Sequence, residues 1–283
     1  MMKWDVYKRV TRLDKPIGIL LLWYPTAWAL WLANRGGLSL KLFSLFFIGT
    51  VLMRSAGCVI NDIADRDIDK HVSRTKLRPI TSNEISVKEA FFLLATLLFA
   101  AFLILLYLPW GCFYLAIIAL AVIFIYPFCK RFISAPQVVL GLAFSMGIPM
   151  AYVASGTSFD ADMWLLCSLN FAWIVAYDTM YAMADKEDDL KIGVKSTAIY
   201  FADYDRLIIG LLLLVLHALW LAWALINQVN VLFYPVWAIA SFVLIHQQKL
   251  ISQRIPQDCF KAFIVSNYYG AFMWLAVALA TSS

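Results

Sequence analysis

The chain has 283 residues, of which 63% are apolar or aromatic and 14% are charged, and its formal net charge is +5. Soluble domains have about 45–50% apolar and about 25% charged residues. These fractions and a mean hydropathy of +0.78 exclude a soluble protein, whether an enzyme, a nucleic-acid-binding domain or a disordered tail. The five cysteines follow no C-x-x-C spacing, which indicates reduced thiols and neither a disulfide framework nor a zinc site.

Nine apolar stretches are each near the length of about 20 residues that a helix needs to cross a bilayer core of about 30 Å. In chain order they cover residues 17–34, 40–60, 89–108, 112–128, 137–155, 163–183, 207–226, 231–247 and 261–281. Their hydrophobicity is continuous, whereas membrane β-strands alternate between apolar and polar residues. We therefore predict an all-α polytopic membrane protein with nine transmembrane helices, in which residues 1–283 form one domain.

Basic residues are concentrated in alternate loops. Twenty of the 23 lysines and arginines lie in the N-terminal segment or in loops that follow even-numbered stretches. Cytoplasmic loops carry the excess of Lys and Arg in membrane proteins. We therefore predict that the N-terminus and these loops face the cytoplasm.

Two acidic motifs follow the second and sixth stretches, on the same predicted face of the membrane. Their candidate metal ligands are Asn61, Asp62, Asp65 and Asp69 in the first motif and Asp185 and Asp189 in the second. Residues four apart share a helix face, where like charges repel one another unless a cation joins them. Oxygen ligands favour Mg²⁺ or Ca²⁺, and Mg²⁺ completes its coordination shell with water and phosphate oxygens. The motifs therefore predict a divalent-cation site for an anionic ligand.

The first motif alone is explained equally well as a solvated acidic helix end, neutralised by Arg66, Lys70 and Arg74. The second motif, about 120 residues further along the chain, favours a joint site.

Basic residues beside the motifs are candidates for binding the phosphate charge. They are Arg74, Lys76, Arg78, Lys191 and Lys195, with Lys130 and Arg131 as the favoured pair. Each of them alone is better explained as a topogenic or lipid-headgroup charge.

Two ionisable residues, Arg54 and Asp178, lie inside predicted spans. Charged groups are costly in lipid and are functional candidates by default. A structural Arg54–Asp178 ion pair and direct contact with a substrate explain them equally well. Aromatic residues near the motifs, among them Tyr126 and Tyr181, are either packing residues or rings that stabilise a carbocation.

Several segments between about residue 12 and residue 200 form a recognisable set. They include Arg12-Leu13-Asp14-Lys15-Pro16-Ile17-Gly18, Gly57-Cys58-Val59-Ile60-Asn61-Asp62, Tyr126-Pro127-Phe128, Tyr177-Asp178-Thr179, Tyr181-Ala182-Met183 and Lys191-Ile192-Gly193. Through these segments and the two acidic motifs, the chain resembles the UbiA superfamily of intramembrane prenyltransferases. Tyr24 departs from the pattern, which has Trp there, and after about residue 205 only the helix pattern agrees.

The resemblance implies nine helices around a central cavity, Mg²⁺ as cofactor and a bacterial inner-membrane location with the active site facing the cytoplasm. It favours the branch that transfers a polyprenyl group from polyprenyl diphosphate to the ring carbon ortho to the hydroxyl of 4-hydroxybenzoate, in ubiquinone biosynthesis. By position it assigns metal and diphosphate binding to the acidic motifs. Our hypothesis places Arg131 at the 4-hydroxybenzoate carboxylate and Lys130 at the diphosphate.

Two alternatives stay open. The first is a prenyltransferase that acts on another acceptor, such as dihydroxynaphthoate, homogentisate or haem. The second is a secondary transporter that uses Arg54 and Asp178. Transporters usually carry their charges near the midplane on broken helices, whereas these acids gather at one membrane face, which disfavours transport.

Overall fold

The computed structural model describes residues 3–281, except for the side chains of Lys130 and Arg131. Helices and the turns between them make up this part of the chain, which confirms the prediction of an all-α protein. The helices are α1 (Lys3–Val10), α2 (Ile17–Ala33), α3 (Leu40–Ala64), α4 (Arg66–Asp69), α5 (Val87–Leu105), α6 (Trp110–Phe132), α7 (Pro136–Ser145), α8 (Gly147–Ala154), α9 (Ala161–Ile192), α10 (Thr197–Tyr200), α11 (Asp205–Ile226), α12 (Phe233–Leu250) and α13 (Pro256–Ala280).

Each predicted stretch coincides with a long helix, except that the fifth is divided between α7 and α8. Six segments are long and apolar enough to cross a membrane: Leu40–Ala64, Val87–Leu105, Trp110–Cys129, Pro136–Ala154, Ala202–Ile226 and Pro256–Ala280. α2 is also apolar, but it is shorter. The protein is therefore a polytopic membrane protein, while the count of nine crossings and the cytoplasmic N-terminus stay predictions.

The two helices that carry the acidic motifs continue past their predicted ends. α3 ends at Ala64, and α9 has 32 residues, which corresponds to about 48 Å at 1.5 Å per residue. The Asp160 side chain caps the start of α9 by accepting a hydrogen bond from the Met163 backbone N–H. Gly193 ends α9 with φ of 71°, in the left-handed region that glycine adopts without strain. The second motif therefore lies on a helical extension beyond the apolar stretch.

Aromatic side chains of α2, α9, α11 and α13 fill the core of the bundle. The Trp28 ring centroid lies 5.3 Å from that of Trp173 and 5.5 Å from that of Trp220. Gly270 of α13 permits the closest approach, because a Cβ at this position would lie 2.7 Å from Trp173 Cη2 and still closer to the Tyr24 ring. A side chain at residue 270 would therefore separate α13 from α2 and α9.

We expect Gly270→Ala to destabilise the folded protein by about 1–3 kcal/mol, the usual cost of overpacking a core. Gly49→Ala is a matched control, because a Cβ on this glycine of α3 meets no atom within 4 Å. The control should be neutral or stabilising by up to about 1 kcal/mol, since alanine favours a helix. Thermal unfolding in one detergent compares the two variants, and equal midpoints would contradict this account of the core.

Candidate active site

A polar cavity at one end of the bundle brings the two acidic motifs together. Asp65 and Asp69 line it from the first motif, and Asp178, Asp185 and Asp189 line it from α9. Its volume is about 110 Å³. Carboxylates that lie more than 100 residues apart in the sequence thus surround one space.

The first motif bends at Asp65 and does not form one continuous helix. Asp65 lies between α3 and α4 with φ of −94° and ψ of 2°. The backbone N–H of Asp65 still donates to Asn61 O, and that of Asp69 donates to Asp65 O, each at 2.8 Å. Asp65 and Asp69 line the polar cavity, whereas Asn61 lines a neighbouring apolar cavity. Asn61, Asp65 and Asp69 therefore do not lie on one continuous helix face.

Asp62 points into an ion-pair network and does not line the polar cavity. It is buried, and Arg12 Nη2 lies 2.8 and 2.9 Å from its two oxygens. Arg78 Nη1 lies 3.1 Å from Asp62 Oδ1. Arg12 follows α1 in a left-handed conformation with φ of 58°. Arg12 belongs to one of the recognisable segments, but no local sequence pattern pairs it with a residue 50 positions away.

Two arginines of the loop after α4 neutralise carboxylates of the cavity. Arg78 Nη1 lies 2.8 Å from Asp69 Oδ2. Arg74 binds both oxygens of Asp185, and its guanidinium carbon lies 4.3 Å from the centroid of the Tyr181 ring. Burial raises the pKa of the Asp69 carboxyl, and Arg78 opposes that rise. The site therefore holds carboxylates and guanidinium groups in direct contact.

The solvated acidic surface of the first motif is limited to Asp67, which pairs with Arg66 and Lys70 outside the cavity. Arg74, which the simpler explanation assigned to the same helix end, contacts the second motif instead.

The other predicted phosphate-binding residues take different positions. Lys195 lines the polar cavity and donates to Phe132 O at 3.0 Å. Lys191 pairs with Asp188 at 3.4 Å and is not a lining residue. Lys130 and Arg131 follow Tyr126 in α6, but their side chains lie outside the described part of the chain. Their roles stay predictions.

A larger cavity of about 340 Å³ extends into the apolar interior between α3, α5, α6, α7 and α8. Its lining is mostly Leu, Ile, Phe, Ala and Met side chains, and its polar members include Thr26, Thr50, Arg54 and Asn61. Arg54 packs against Gly18, where a Cβ would lie 2.6 Å from Arg54 Nε. Its guanidinium carbon lies 5.7 Å from the Phe144 ring centroid. In the described part of the chain, the Arg54 and Asp178 side chains form no ion pair with each other. The structural Arg54–Asp178 bridge that the sequence left open is therefore not formed.

Tyr126 of α6 lines both cavities. A ligand with an anionic head in the smaller cavity and an apolar chain in the larger one would pass this ring. The sequence marked Tyr126 only as an aromatic residue near the motifs, because hydropathy does not show where two cavities meet.

The donors of the polar cavity fit Mg²⁺, because its ionisable acidic lining residues offer carboxylate oxygens and its described lining contains no thiol or imidazole. Among the described residues, no three His, Cys, Asp or Glu side chains are grouped to hold a metal ion. Mg²⁺ typically takes only one or two carboxylates and obtains its other ligands from water and substrate phosphate. The arrangement thus suits a metal that binds together with a phosphorylated ligand.

The sequence matches the UbiA prenyltransferase family over residues 22–276. A 4-hydroxybenzoate octaprenyltransferase of Legionella pneumophila (strain Lens) is 64% identical over 280 residues, which cover 99% of each chain. A 4-hydroxybenzoate octaprenyltransferase of Serratia proteamaculans (strain 568) is 48% identical over 278 residues, which cover 98% of this chain and 96% of the relative.

Solved structures share the fold. A UbiA homolog from Aeropyrum pernix K1 has a TM-score of 0.78 at 24% identity, covering 91% of this chain and 97% of that one. A UbiA homolog from Archaeoglobus fulgidus bound to GPP and Mg²⁺ has a TM-score of 0.73 at 18% identity, covering 96% and 99%. The family resemblance predicted from the motifs is thus confirmed, and the chain belongs to the UbiA prenyltransferase family.

Proposed function

We propose that this protein transfers a polyprenyl group from polyprenyl diphosphate to 4-hydroxybenzoate, at the ring carbon ortho to the hydroxyl, and releases diphosphate. The observation that carries the proposal is the polar cavity of carboxylates and arginines that meets an apolar cavity at Tyr126. A polyprenyl diphosphate has the matching division into an anionic head and an apolar chain. The 4-hydroxybenzoate octaprenyltransferases that are 48–64% identical over nearly the whole chain support this acceptor and a place in ubiquinone biosynthesis.

The polar cavity binds the diphosphate. Arg74, Arg78 and Lys195 line it and supply N–H donors for phosphate oxygens. The residues that would hold Mg²⁺ are Asp65, Asp69, Asp185 and Asp189, with Asn61 at the edge of the neighbouring cavity. When bound, Mg²⁺ acts as a Lewis acid that stabilises the negative charge of the departing diphosphate.

The reaction takes place where the two cavities meet. The allylic C–O bond breaks and its electron pair leaves with the diphosphate. The ring carbon of 4-hydroxybenzoate supplies the electron pair of the new C–C bond, and loss of its proton restores aromaticity. Tyr126 lines this junction, where an aromatic ring stabilises an allylic cation through its π face and helps to exclude water.

Arg54 supplies a positive charge for the carboxylate of the acceptor. It lines the apolar cavity, and none of the acidic side chains in the described range forms an ion pair with it. A cation in an apolar cavity is costly unless a ligand or partner compensates its charge. This favours substrate contact over a structural role, and the earlier assignment of the acceptor carboxylate to Arg131 stays a prediction beside it.

The membrane in which the protein lies and the side that its active site faces are also part of the proposal. The basic loops support a bacterial inner-membrane protein whose active site faces the cytoplasm. One apolar core that contains residues from Leu21 to Val277 supports one domain over residues 1–283.

We expect the purified protein to prenylate 4-hydroxybenzoate with geranyl, farnesyl and longer polyprenyl diphosphates when Mg²⁺ is present. Chelation by EDTA should abolish the product, because the leaving diphosphate then loses the charge compensation that the metal supplies. Parallel incubations with dihydroxynaphthoate, homogentisate and haem test the acceptor by mass spectrometry. Product from one of these acceptors and none from 4-hydroxybenzoate would refute the proposed substrate while retaining prenyl transfer.

A further inference from the structure

An ion cluster around the buried Asp205 joins the second acidic motif to the following part of the chain, which the recognisable segments do not reach. Asp205 begins α11, and its side chain is fully buried. Arg254, before α13, donates from Nε to both Asp205 oxygens at 3.0 and 3.1 Å and from Nη2 to Oδ1 at 2.7 Å. Lys186 Nζ lies 3.4 Å from Asp205 Oδ2. The cluster therefore connects α9, α11 and the turn before α13.

The hydrogen bonds of this cluster are extensive. The Arg206 backbone N–H donates to Asp205 Oδ1 at 2.6 Å, and Arg254 Nη2 also donates to Asp203 O at 2.7 Å. A buried carboxylate is costly unless it is paired and hydrogen-bonded, and Asp205 meets both conditions. Arg254 is held in the left-handed region with φ of 54°, a conformation that persists in non-glycine residues where the surroundings enforce it. These contacts therefore hold the Asp205 carboxylate in one position.

The last turns of α9 depend on such polar contacts. The buried residues of α9 end at Met183, two residues before the first carboxylate of the second motif. Toward the first motif, Asp185 binds Arg74, and Asp188 accepts a hydrogen bond from the Ser73 backbone N–H at 3.0 Å. Successive residues of an α-helix are rotated by about 100°, so Lys186 reaches a different side of the helix from Asp185.

We propose that Asp205 is a positioning residue for prenyl transfer. Through Lys186 it holds the end of α9 so that Asp185 and Asp189 face the first acidic motif across the polar cavity. The inference rests on the proposed function, because the distance between the two motifs matters only where one ligand bridges them. Asp205 touches no cavity-lining carboxylate and acts through the helix.

The test compares Lys186→Met with Lys186→Arg, and with Lys261→Met as the matched control. Lys261 forms an exposed ion pair with Asp258 in the first turns of α13, away from the lining of the polar cavity. The readouts are Mg²⁺-dependent binding of the unreactive analogue geranyl S-thiolodiphosphate by calorimetry, the KM and kcat of prenyl transfer, and the thermal midpoint. Asp205→Asn is the second variant, since it removes the negative charge with which Lys186 pairs.

We expect Lys186→Met and Asp205→Asn to weaken analogue binding and raise the KM for prenyl diphosphate roughly 10-fold, as loss of a supporting contact around a metal site does. The kcat should change less than about threefold, because a bound metal diphosphate itself restores the carboxylate geometry at saturation. Lys186→Arg should bind like the wild type, because its guanidinium retains the charge that pairs with Asp205.

Two results would overturn the inference. One is unchanged analogue affinity in Lys186→Met and Asp205→Asn, even if their thermal midpoints fall, because that pattern belongs to a purely structural cluster. The other is equal weakening in Lys186→Arg and Lys186→Met. Failure of the proposed function is separately visible, since the wild type itself would then give no prenylated 4-hydroxybenzoate.

Discussion

Asp185→Asn should lower kcat/KM for prenyl transfer by about 10³-fold or more, because metal stabilisation of a leaving group contributes several kcal/mol to the transition state. Asp185 lines the polar cavity at the end of α9, opposite the first motif. Asparagine keeps the shape of the side chain but removes the negative charge that a divalent cation requires. Steady-state assays across a Mg²⁺ series measure the loss, and Asp65→Asn should give a loss of similar size.

Asp67→Asn is the matched control for these variants. Asp67 lies between Asp65 and Asp69 in sequence, yet its side chain is 70% exposed and pairs with Arg66 and Lys70 outside the cavity. Its kcat/KM should stay within about twofold of the wild type, since exposed ion pairs contribute at most about 1 kcal/mol. Full Mg²⁺-dependent activity in Asp185→Asn would show that the second motif does not bind the metal.

The meeting of the two acidic motifs could be predicted because hydropathy and loop charge determine which helix ends share a membrane face. Asp65 and Asp185 follow even-numbered stretches, so both had to lie at the same end of the bundle. Continuous hydropathy also marked α3 and α9, although both helices extend past the apolar stretches. Polar residues past the apolar stretch extend both helices without lengthening the hydrophobic pattern.

The side-chain partners could not be predicted in the same way. The Arg12–Asp62 pair spans 50 residues and depends on the left-handed turn at Arg12 and on the packing of α1 against α3. The Arg74–Asp185 pair depends on the position of a whole loop relative to α9. Asp205 lies after the last family motif, and its ion pairs join α9, α11 and the turn before α13. Helical periodicity determines faces, whereas the rotation of one helix against another follows from the packing of the whole bundle.

Arg74→Gln should change the affinities of the site for its two ligands in opposite directions. Arg74 binds both oxygens of Asp185, so in the absence of diphosphate it competes with any cation for that carboxylate. Its removal should tighten the binding of Mg²⁺ alone by about 10-fold or more, since charged hydrogen bonds contribute about 1.5–3 kcal/mol. It should weaken diphosphate binding and lower kcat/KM by about 10²-fold, because the same guanidinium is a phosphate donor.

Calorimetry with Mg²⁺ alone, with inorganic diphosphate alone and with both ligands together distinguishes these effects. Arg66→Gln is the control, since Arg66 belongs to the same polar segment but pairs only with exposed Asp67. Equal losses of affinity for both ligands in Arg74→Gln would mean that Arg74 merely supports the fold. Opposite changes would show that arginine and metal exchange carboxylate partners when the diphosphate binds. Such an exchange explains why oxygen ligands suited to Mg²⁺ lie at this cavity although no three acids among the described residues form a preformed metal cluster. It also makes tight metal binding depend on the substrate.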